Sequence, residues 1–524
     1  MSKAAEMGKV SFKGSFHMLW GLVVSTAISS VGTIIVANLL LPDEMGLYAL
    51  ALAAPTLIAT FRDWGINSAM IKYTAQYSVE NKAARLRGIF KAGLLFEIIL
   101  GVALTVFSFL LSGVFADLYA LPIAALIQIA SFIILLNAFV ATAQAAFIGL
   151  ERMEFNSIML ICQAVIKTAI APSLVIIGLG VSGAVLGFTL SLFVAALTGL
   201  LLMWVLYRKL PRETSCGDDV LGTMKMMLGY GLPLSLAAIL STFMAQFYTV
   251  LTGAYKVPAD LIGNYHVAAS FAVLITFFAS PITTMLFPAF SKLDPKKDHE
   301  TLKNVYQFSV KYASLFVVPV TVLVMALSQP GVSALFRDNY PSTPLFLSLL
   351  AINYLYTTFG ALSTTNLINS QGQTTFNLKL TMLTVGIGFP LGFILIPLFG
   401  ILGLIAATLV AGIPSLIISL RWIQKHYDLT VDWASSAKIL LCSGVAGAVT
   451  FLAVSTLSLN SWILLVLGVG IFVPVLTLSI LLTKTIGRAD IDNLKGMLSS
   501  LGPLSRIFSY VLGILEKLMA ILHL

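Results

Sequence analysis

Arg62, Asp63, Glu97 and Lys167 are ionisable side chains set inside long apolar stretches of this chain. Charges in such surroundings are expensive, so by default they mark a function. Arg62 and Asp63 fall about 16 residues into the stretch 46–71, roughly 24 Å along a helix rising 1.5 Å per residue. Glu97, in 88–112, reaches a similar depth from the opposite side. Two roles are open to Arg62. It can pair with Glu97 or Asp63 and fix two helices, or it can face a cavity and hold an anion, because its planar fork matches phosphate oxygens. Lys167, in 157–179, has no carboxylate near it in sequence and is expected in a wet cavity. Arg62 and Lys167 together would make that cavity basic, with Asn67, Gln246 and Asn353 as further polar contacts. Asp63 and Glu97 are alternatively sites for a coupling H⁺ or Na⁺, since buried carboxylates exchange such ions. His266, Asn366 and Asn369 read as satisfied polar contacts between helices. The chain shows no nucleotide loop, metal motif or nucleophile triad. Cys162, Cys216 and Cys442 form no ligand or disulfide framework. Neither an enzyme nor a cofactor is expected; coupling to Na⁺, H⁺ or the membrane potential stays open.

The elements that must position these residues are transmembrane helices. Of the 524 residues, 58% are hydrophobic and 10% charged, against about 25% charged in soluble domains. Apolar runs long enough to span a bilayer recur along the sequence, and helix is the solution that satisfies backbone groups within each run. Fourteen spans are expected: 16–41, 46–71, 88–112, 119–150, 157–179, 182–207, 224–252, 261–290, 305–328, 342–370, 376–398, 401–424, 436–458 and 461–483. With the N-terminus inside, 27 of the 31 Lys and Arg residues fall on inner segments. Outer loops hold only Lys256 and Arg337, the asymmetry that the positive-inside rule demands. The reading is a multi-pass cell-membrane protein with both termini cytoplasmic. The first span is retained rather than cleaved as a signal peptide, and Lys311 snorkels at an inner helix end. The net charge of +9 is thereby explained without nucleic acid. Beyond 486, Ile491, Leu494, Leu498 and Leu501, and then Leu504, Ile507, Val511, Leu515, Leu518 and Leu522, line the faces of two interfacial amphipathic helices.

The sequence also repeats itself at an offset near 220. Gly46-Leu47-Tyr48 returns as Gly263-Asn264-Tyr265, Phe155-Asn156 as Phe376-Asn377, and Gly180-x-x-Gly183 as Gly400-x-x-Gly403. Each unit holds six helices, so the two share one orientation about an axis along the membrane normal. The expected architecture is all-α: an N-terminal lobe (1–215), a C-terminal lobe (216–430), helices 13 and 14 (431–485) and the interfacial tail (486–524). Two lobes about a cleft suit alternating access.

Four segments carry a family resemblance: Leu40-Leu41-Pro42-Asp43-Glu44-Met45-Gly46-Leu47-Tyr48, Asp63-Trp64-Gly65-Ile66-Asn67-Ser68-Ala69, Gly149-Leu150-Glu151-Arg152-Met153-Glu154-Phe155 and Asn369-Ser370-Gln371-Gly372-Gln373. They resemble the polysaccharide transporter family, O-antigen flippase type, of the multidrug/oligosaccharidyl-lipid/polysaccharide exporter superfamily, over roughly residues 10–430. The resemblance implies flipping of a polyprenyl- or dolichyl-linked oligosaccharide to the outer leaflet. It implies a monomer among membrane lipids, alongside glycan-assembly enzymes. Lipid II flippases of that superfamily use cavity arginines for the diphosphate, and Arg62 best matches such a residue. Relatives often carry an acidic residue in helix 7, where Gln246 and Tyr248 stand here, so ion coupling in the second lobe is in doubt. The alternative within the fold is a multidrug or organic-ion antiporter, whose cavity would favour acidic residues. A membrane-bound sugar polymerase or ligase ranks lower, because its catalytic groups need larger outer loops.

Overall fold

The computed structural model describes residues 3–211, 219–276 and 289–487 and positions 278, 279, 286, 490 and 513, with side chains from Trp20 onward. Among the described residues the regular elements are all helices. In chain order they are α1 (Lys3–Leu39), α2 (Pro42–Ala59), α3 (Ile66–Val79), α4 (Ala83–Leu110), α5 (Ser112–Tyr119), α6 (Ala124–Gly149), α7 (Met153–Leu174), α8 (Gly180–Lys209), α9 (Val220–Ala254) and α10 (Ala259–Ala272). They continue as α11 (His299–Ala326), α12 (Ser328–Phe336), α13 (Thr343–Leu355), α14 (Ala361–Ser370), α15 (Thr374–Phe399), α16 (Ile401–Tyr427), α17 (Trp433–Ser455) and α18 (Ser461–Leu482). Among the described residues ten helices are long and apolar enough to cross a membrane, eleven if the bent pair Thr343–Phe359 and Ala361–Ser370 forms one span. The run Met153–Lys209 counts once in that number but reverses at Gly178 and Gly180, giving α7 and α8. The second expected span is divided between α2 and α3, and the eighth begins in the shorter apolar helix Ala259–Ile275.

The chain forms two compact units, 1–267 with 374–415, and 268–373 with 416–524. This division by contact density cuts across the division by sequence repeat. In the first unit, packing rests on small residues, as expected where lipid tails remove any hydrophobic preference between helices. α1 lies parallel to α7, with Gly21 against Ser157 and Gly32 against Thr168. α7 and α8 are antiparallel, with Gly187 against Ala171 and Gly199 against Met159. α4 and α6 meet through the buried pair Ser108 and Ser131, whose hydroxyls are 2.8 Å apart.

The repeat has a physical signature at the start of α2 and α10. A Cβ on Gly46 would sit 1.9 Å from the Ala259 carbonyl oxygen, and one on Gly263 would sit 1.9 Å from that of Pro42. Gly46 with Gly263, and Pro42 with Ala259, are repeat equivalents at one offset. The contact is therefore self-complementary, as at a two-fold axis. Glycine at both positions is what lets the two backbones touch. Gly180 and Gly400, the hairpin equivalents, both have positive φ, 50° and 58°.

In the second unit the span made by α13 and α14 bends by 59°, at Gly360, whose φ is +85°. Across the bend, α11 supplies two polar ties: the Tyr306 and Thr364 hydroxyls are 2.8 Å apart, and Ser314 donates to the Thr357 carbonyl at 3.3 Å. Lys311, expected to snorkel at an inner helix end, meets an acidic partner. Its Nζ lies 2.7 Å from Asp490 Oδ2, and the Tyr312 hydroxyl donates to Oδ1 of the same carboxylate at 3.2 Å. The side chains of Lys311 and Asp490 are only 15% and 10% exposed, so each neutralises a charge that burial would otherwise penalise. The two amphipathic helices expected beyond 486 lie outside the described residues, apart from positions 487, 490 and 513.

Candidate functional site

The expected continuous helix over 46–71 is broken at the charged pair. After Ala59 the backbone tightens: the amides of Thr60, Phe61 and Arg62 donate to the carbonyls three residues back, at 3.1–3.3 Å. Helix resumes at Ile66, preceded by Gly65 at φ +82°. Non-helical backbone at this depth is tolerated only where its polar groups are satisfied by protein or cavity water. Asp63 does this locally: its Oδ1 accepts from the Gly65 amide at 2.9 Å and from the Asn67 amide at 3.4 Å, capping the new helix. Asp63 is thereby engaged by backbone.

A single helix, α9, runs antiparallel beside both halves of the break. Leu50 meets Gly253, Thr56 meets Gln246, Phe61 meets Phe243, and Tyr73 meets Tyr230. Between these contacts Gly65 and Gly231 touch backbone to backbone: a Cβ on either would fall 2.0 or 2.1 Å from the other's carbonyl oxygen. α9 is thus a splint for a discontinuous span, and two glycines set how closely it lies.

The break delivers Arg62 to Glu97 on α4. The Arg62 Nη1 is ion-paired with Glu97 Oε2, and Asn67 Nδ2 donates to Glu97 Oε1 at 2.7 Å. The Glu97 side chain is fully buried and that of Arg62 is 10% exposed. Each Glu97 oxygen is therefore occupied, one by a cation and one by an amide. Arg62 Nε and Asn67 Oδ1, also buried, have no hydrogen-bond partner among the described residues. One donor and one acceptor thus remain available beside the pair, a pattern that calls for water or a ligand.

The other expected site residues are placed differently. Gln246 Oε1 accepts from the Thr56 hydroxyl at 3.0 Å, above the break. Lys167 approaches the Thr33 hydroxyl at 3.5 Å and lies 5.5 Å from the Phe188 ring centroid, with no carboxylate in salt-bridge range among the described residues. Thr33 is six residues from the end of α1 at Leu39, and α2 begins at Pro42. Lys167 therefore sits about 9 Å from that end, whereas Arg62 lies roughly 30 Å along from Pro42 at 1.5 Å per residue. The two cations stand at different levels, too far apart along the helices for one diphosphate to touch both. Asn353, exposed on α13, belongs to the second unit. Gly65 stands out in the sequence only as part of the Asp-Trp-Gly motif, and Gly231 and Thr56 do not stand out at all, because their roles depend on which helix lies beside the break. Among the described residues no group of His, Cys, Asp and Glu is arranged to hold a metal ion.

Comparison with known proteins places this geometry in context. A family model described as polysaccharide biosynthesis protein matches residues 35–344. The succinoglycan biosynthesis transport protein ExoT of Rhizobium meliloti is 24% identical over 321 residues, 61% of each chain. The alignment thus spans about three fifths of that relative. A lipid II flippase, MurJ, in an inward closed conformation, superposes with a TM-score of 0.68 at 16% identity, covering 88% of this chain and 97% of MurJ. An inward-facing multidrug resistance transporter of the MATE family, in the MOP superfamily, gives a TM-score of 0.60 at 17% identity, over 78% of this chain and 98% of the transporter. At these identities the likeness establishes the fold.

Proposed function

The chain belongs to the polysaccharide biosynthesis protein family, and on that premise we propose that it moves a lipid-linked oligosaccharide from the cytoplasmic to the outer leaflet of the cell membrane for surface glycan assembly. The carrier is a polyprenyl or dolichyl phosphate or diphosphate, and both chain termini lie in the cytoplasm. The observation that carries this reading is a buried arginine held in an unwound turn of a membrane span, with its Nε unpartnered and its one carboxylate partner shared with Asn67. Such a guanidinium can exchange a carboxylate for phosphate oxygens of similar geometry. When phosphate takes Arg62, Glu97 loses its counter-charge and must acquire H⁺ or Na⁺ or be hydrated. That exchange links substrate binding to an ion and to the conformation of the broken span. Lys167, at its separate level, is a second stop for the anionic headgroup as the cavity changes the side it faces. No chemical step on the substrate is required of the protein.

The competing reading is an organic-ion antiporter of the same fold, in which Glu97 would bind a cation and Arg62 would be its resting counter-ion. One experiment separates the two. Reconstituted protein is assayed for flipping of a fluorescent polyprenyl-diphosphate oligosaccharide and, in parallel, for uptake of a fluorescent organic cation. The proposal expects flipping by wild type and its loss in Arg62→Ala and Lys167→Ala variants that remain folded. Cation transport that depends on Glu97, without flipping, overturns it.

A further inference from the structure

We propose that the lysine–tyrosine cluster where α3 meets α9, just beyond the break, binds the phosphorylated sugar headgroup of the substrate; the inference rests on the transport reading above. α3 leaves the break at Ile66, and Lys72 and Tyr73 follow within two turns, roughly 10 Å along the helix. On α9, Tyr230 adjoins Gly231, the residue in backbone contact with Gly65. The cluster is therefore the next polar surface along the splinted span from Arg62. The Lys72 ammonium lies 3.7 Å from the Tyr230 ring centroid and 5.2 Å from that of Tyr73. The Tyr73 and Tyr230 rings meet edge to face at 5.9 Å, and Tyr73 stacks on Tyr77 at 6.0 Å. Arg85 stands 5.5 Å from the Tyr77 ring.

Three features distinguish this cluster from an ordinary belt of interfacial aromatics. Its cations, Lys72 and Arg85, are exposed and are not in salt-bridge range of a carboxylate among the described residues. Its rings are concentrated on one helix pair and packed against one another, whereas belt residues spread around the lipid boundary. Tyr230 remains 36% exposed, so one ring presents free surface beside an unneutralised ammonium. An aromatic face accepts the apolar face of a pyranose ring, and its hydroxyl can bond to a sugar hydroxyl. The ammonium supplies the phosphate contact as a mobile point charge. Cation–π attraction holds the lysine over the ring while no ligand is bound. A phosphate on a sugar is the ligand that uses both halves of this arrangement, whether the sugar is lipid-linked or free.

The test uses the full chain in phosphatidylcholine nanodiscs, titrated calorimetrically with farnesyl-diphosphate-linked disaccharide, farnesyl diphosphate and a water-soluble disaccharide 1-phosphate. Wild type should bind the lipid-linked disaccharide about tenfold more tightly than farnesyl diphosphate, a difference worth one good contact. Tyr230→Leu should erase that difference while leaving farnesyl diphosphate binding unchanged, and Tyr230→Phe should keep most of it. Lys72→Gln should weaken both diphosphate probes about tenfold, the size of one charge-assisted contact. Because Lys72 is exposed, this variant keeps the test readable if the ring substitution impairs folding. Comparable binding of the free disaccharide phosphate would support headgroup recognition independent of the lipid, and its absence would support recognition of the lipid-linked form. Unaltered binding of all three probes by Tyr230→Leu and Lys72→Gln overturns the proposal. Tyrosine-dependent binding in a protein that flips no lipid-linked sugar would sink the transport reading alone. Flipping with tyrosine-independent and lysine-independent binding would sink only this site.

Discussion

Removing one partner of the Arg62–Glu97 pair should destabilise the protein more than removing both. Glu97 is fully buried and Arg62 is 10% exposed at the side chain. Glu97→Leu would leave a buried guanidinium without a counter-charge and the Asn67 amide without its acceptor. Arg62→Met would leave a buried carboxylate held by Asn67 alone. Breaking a buried pair in this way costs about 3–5 kcal/mol, whereas replacing both members by apolar groups of similar volume is often neutral. Each single variant is therefore expected to lose about 3–5 kcal/mol, and the double variant, which still leaves the Asn67 amide without its acceptor, to lose about 1–3 kcal/mol. Reversible unfolding in mixed micelles, arranged as a double-mutant cycle, measures the coupling. Single variants within about 1 kcal/mol of wild type, or effects that simply add, would refute the buried-pair reasoning. The same cycle separates structure from transport. The double variant should fold and fail to flip; if it flips at the wild-type rate, Arg62 is a structural residue and the phosphate-exchange mechanism is wrong.

Other consequences follow from single contacts. Gly65→Ala and Gly231→Ala each force a Cβ to within 2.0–2.1 Å of backbone, so both should sharply reduce the yield of folded protein. By contrast Gly229→Ala, which meets nothing within 4 Å, should be silent in the same size-exclusion assay. Asp490→Ala strips Lys311 of its partner at a site where both side chains are mostly buried. It should lower the melting temperature more than Tyr312→Phe, which removes one hydrogen bond of about 0.5–1.5 kcal/mol. Asp432, outside the membrane spans, caps α17: burial pushes its pKa up, but hydrogen bonds from Ser435 and Ala434 and the charge of Lys311 hold it below the ordinary carboxylate value. A carboxylate with a depressed folded-state pKa contributes stability above its unfolded pKa and loses it as pH falls through the folded one. Amide exchange in the first turn of α17 should therefore stay protected at neutral pH and accelerate only in strong acid. Asp432→Ala should be accelerated at both, by the loss of a cap worth about 1 kcal/mol.

Composition and periodicity alone determined that this chain is a bundle of membrane-spanning helices, because so few charges cannot clothe a water-facing surface and a lipid-facing backbone must bond within its own segment. One element of the repeat has a visible physical reason, since Gly46 and Gly263 each stand where a Cβ would meet backbone. Arg62, Glu97 and Asn67 could be singled out because ionisable and polar groups are costly in apolar runs. Their depth, counted in residues, already made the Arg62–Glu97 pairing one of two open roles. What the sequence could not decide was the course of the backbone at Arg62. Hydropathy averages over a window and passes smoothly across residues 60–65, whereas the turn there depends on Asp63 capping Ile66–Val79 and on Gly231 of another helix lying against Gly65. Nor could it place Lys167, whose level is set by Thr33 on a helix more than a hundred residues away in the chain. The helices follow from local chemistry, and one-dimensional patterns report that faithfully. The site depends on contacts between distant segments, and the tertiary structure alone supplies those.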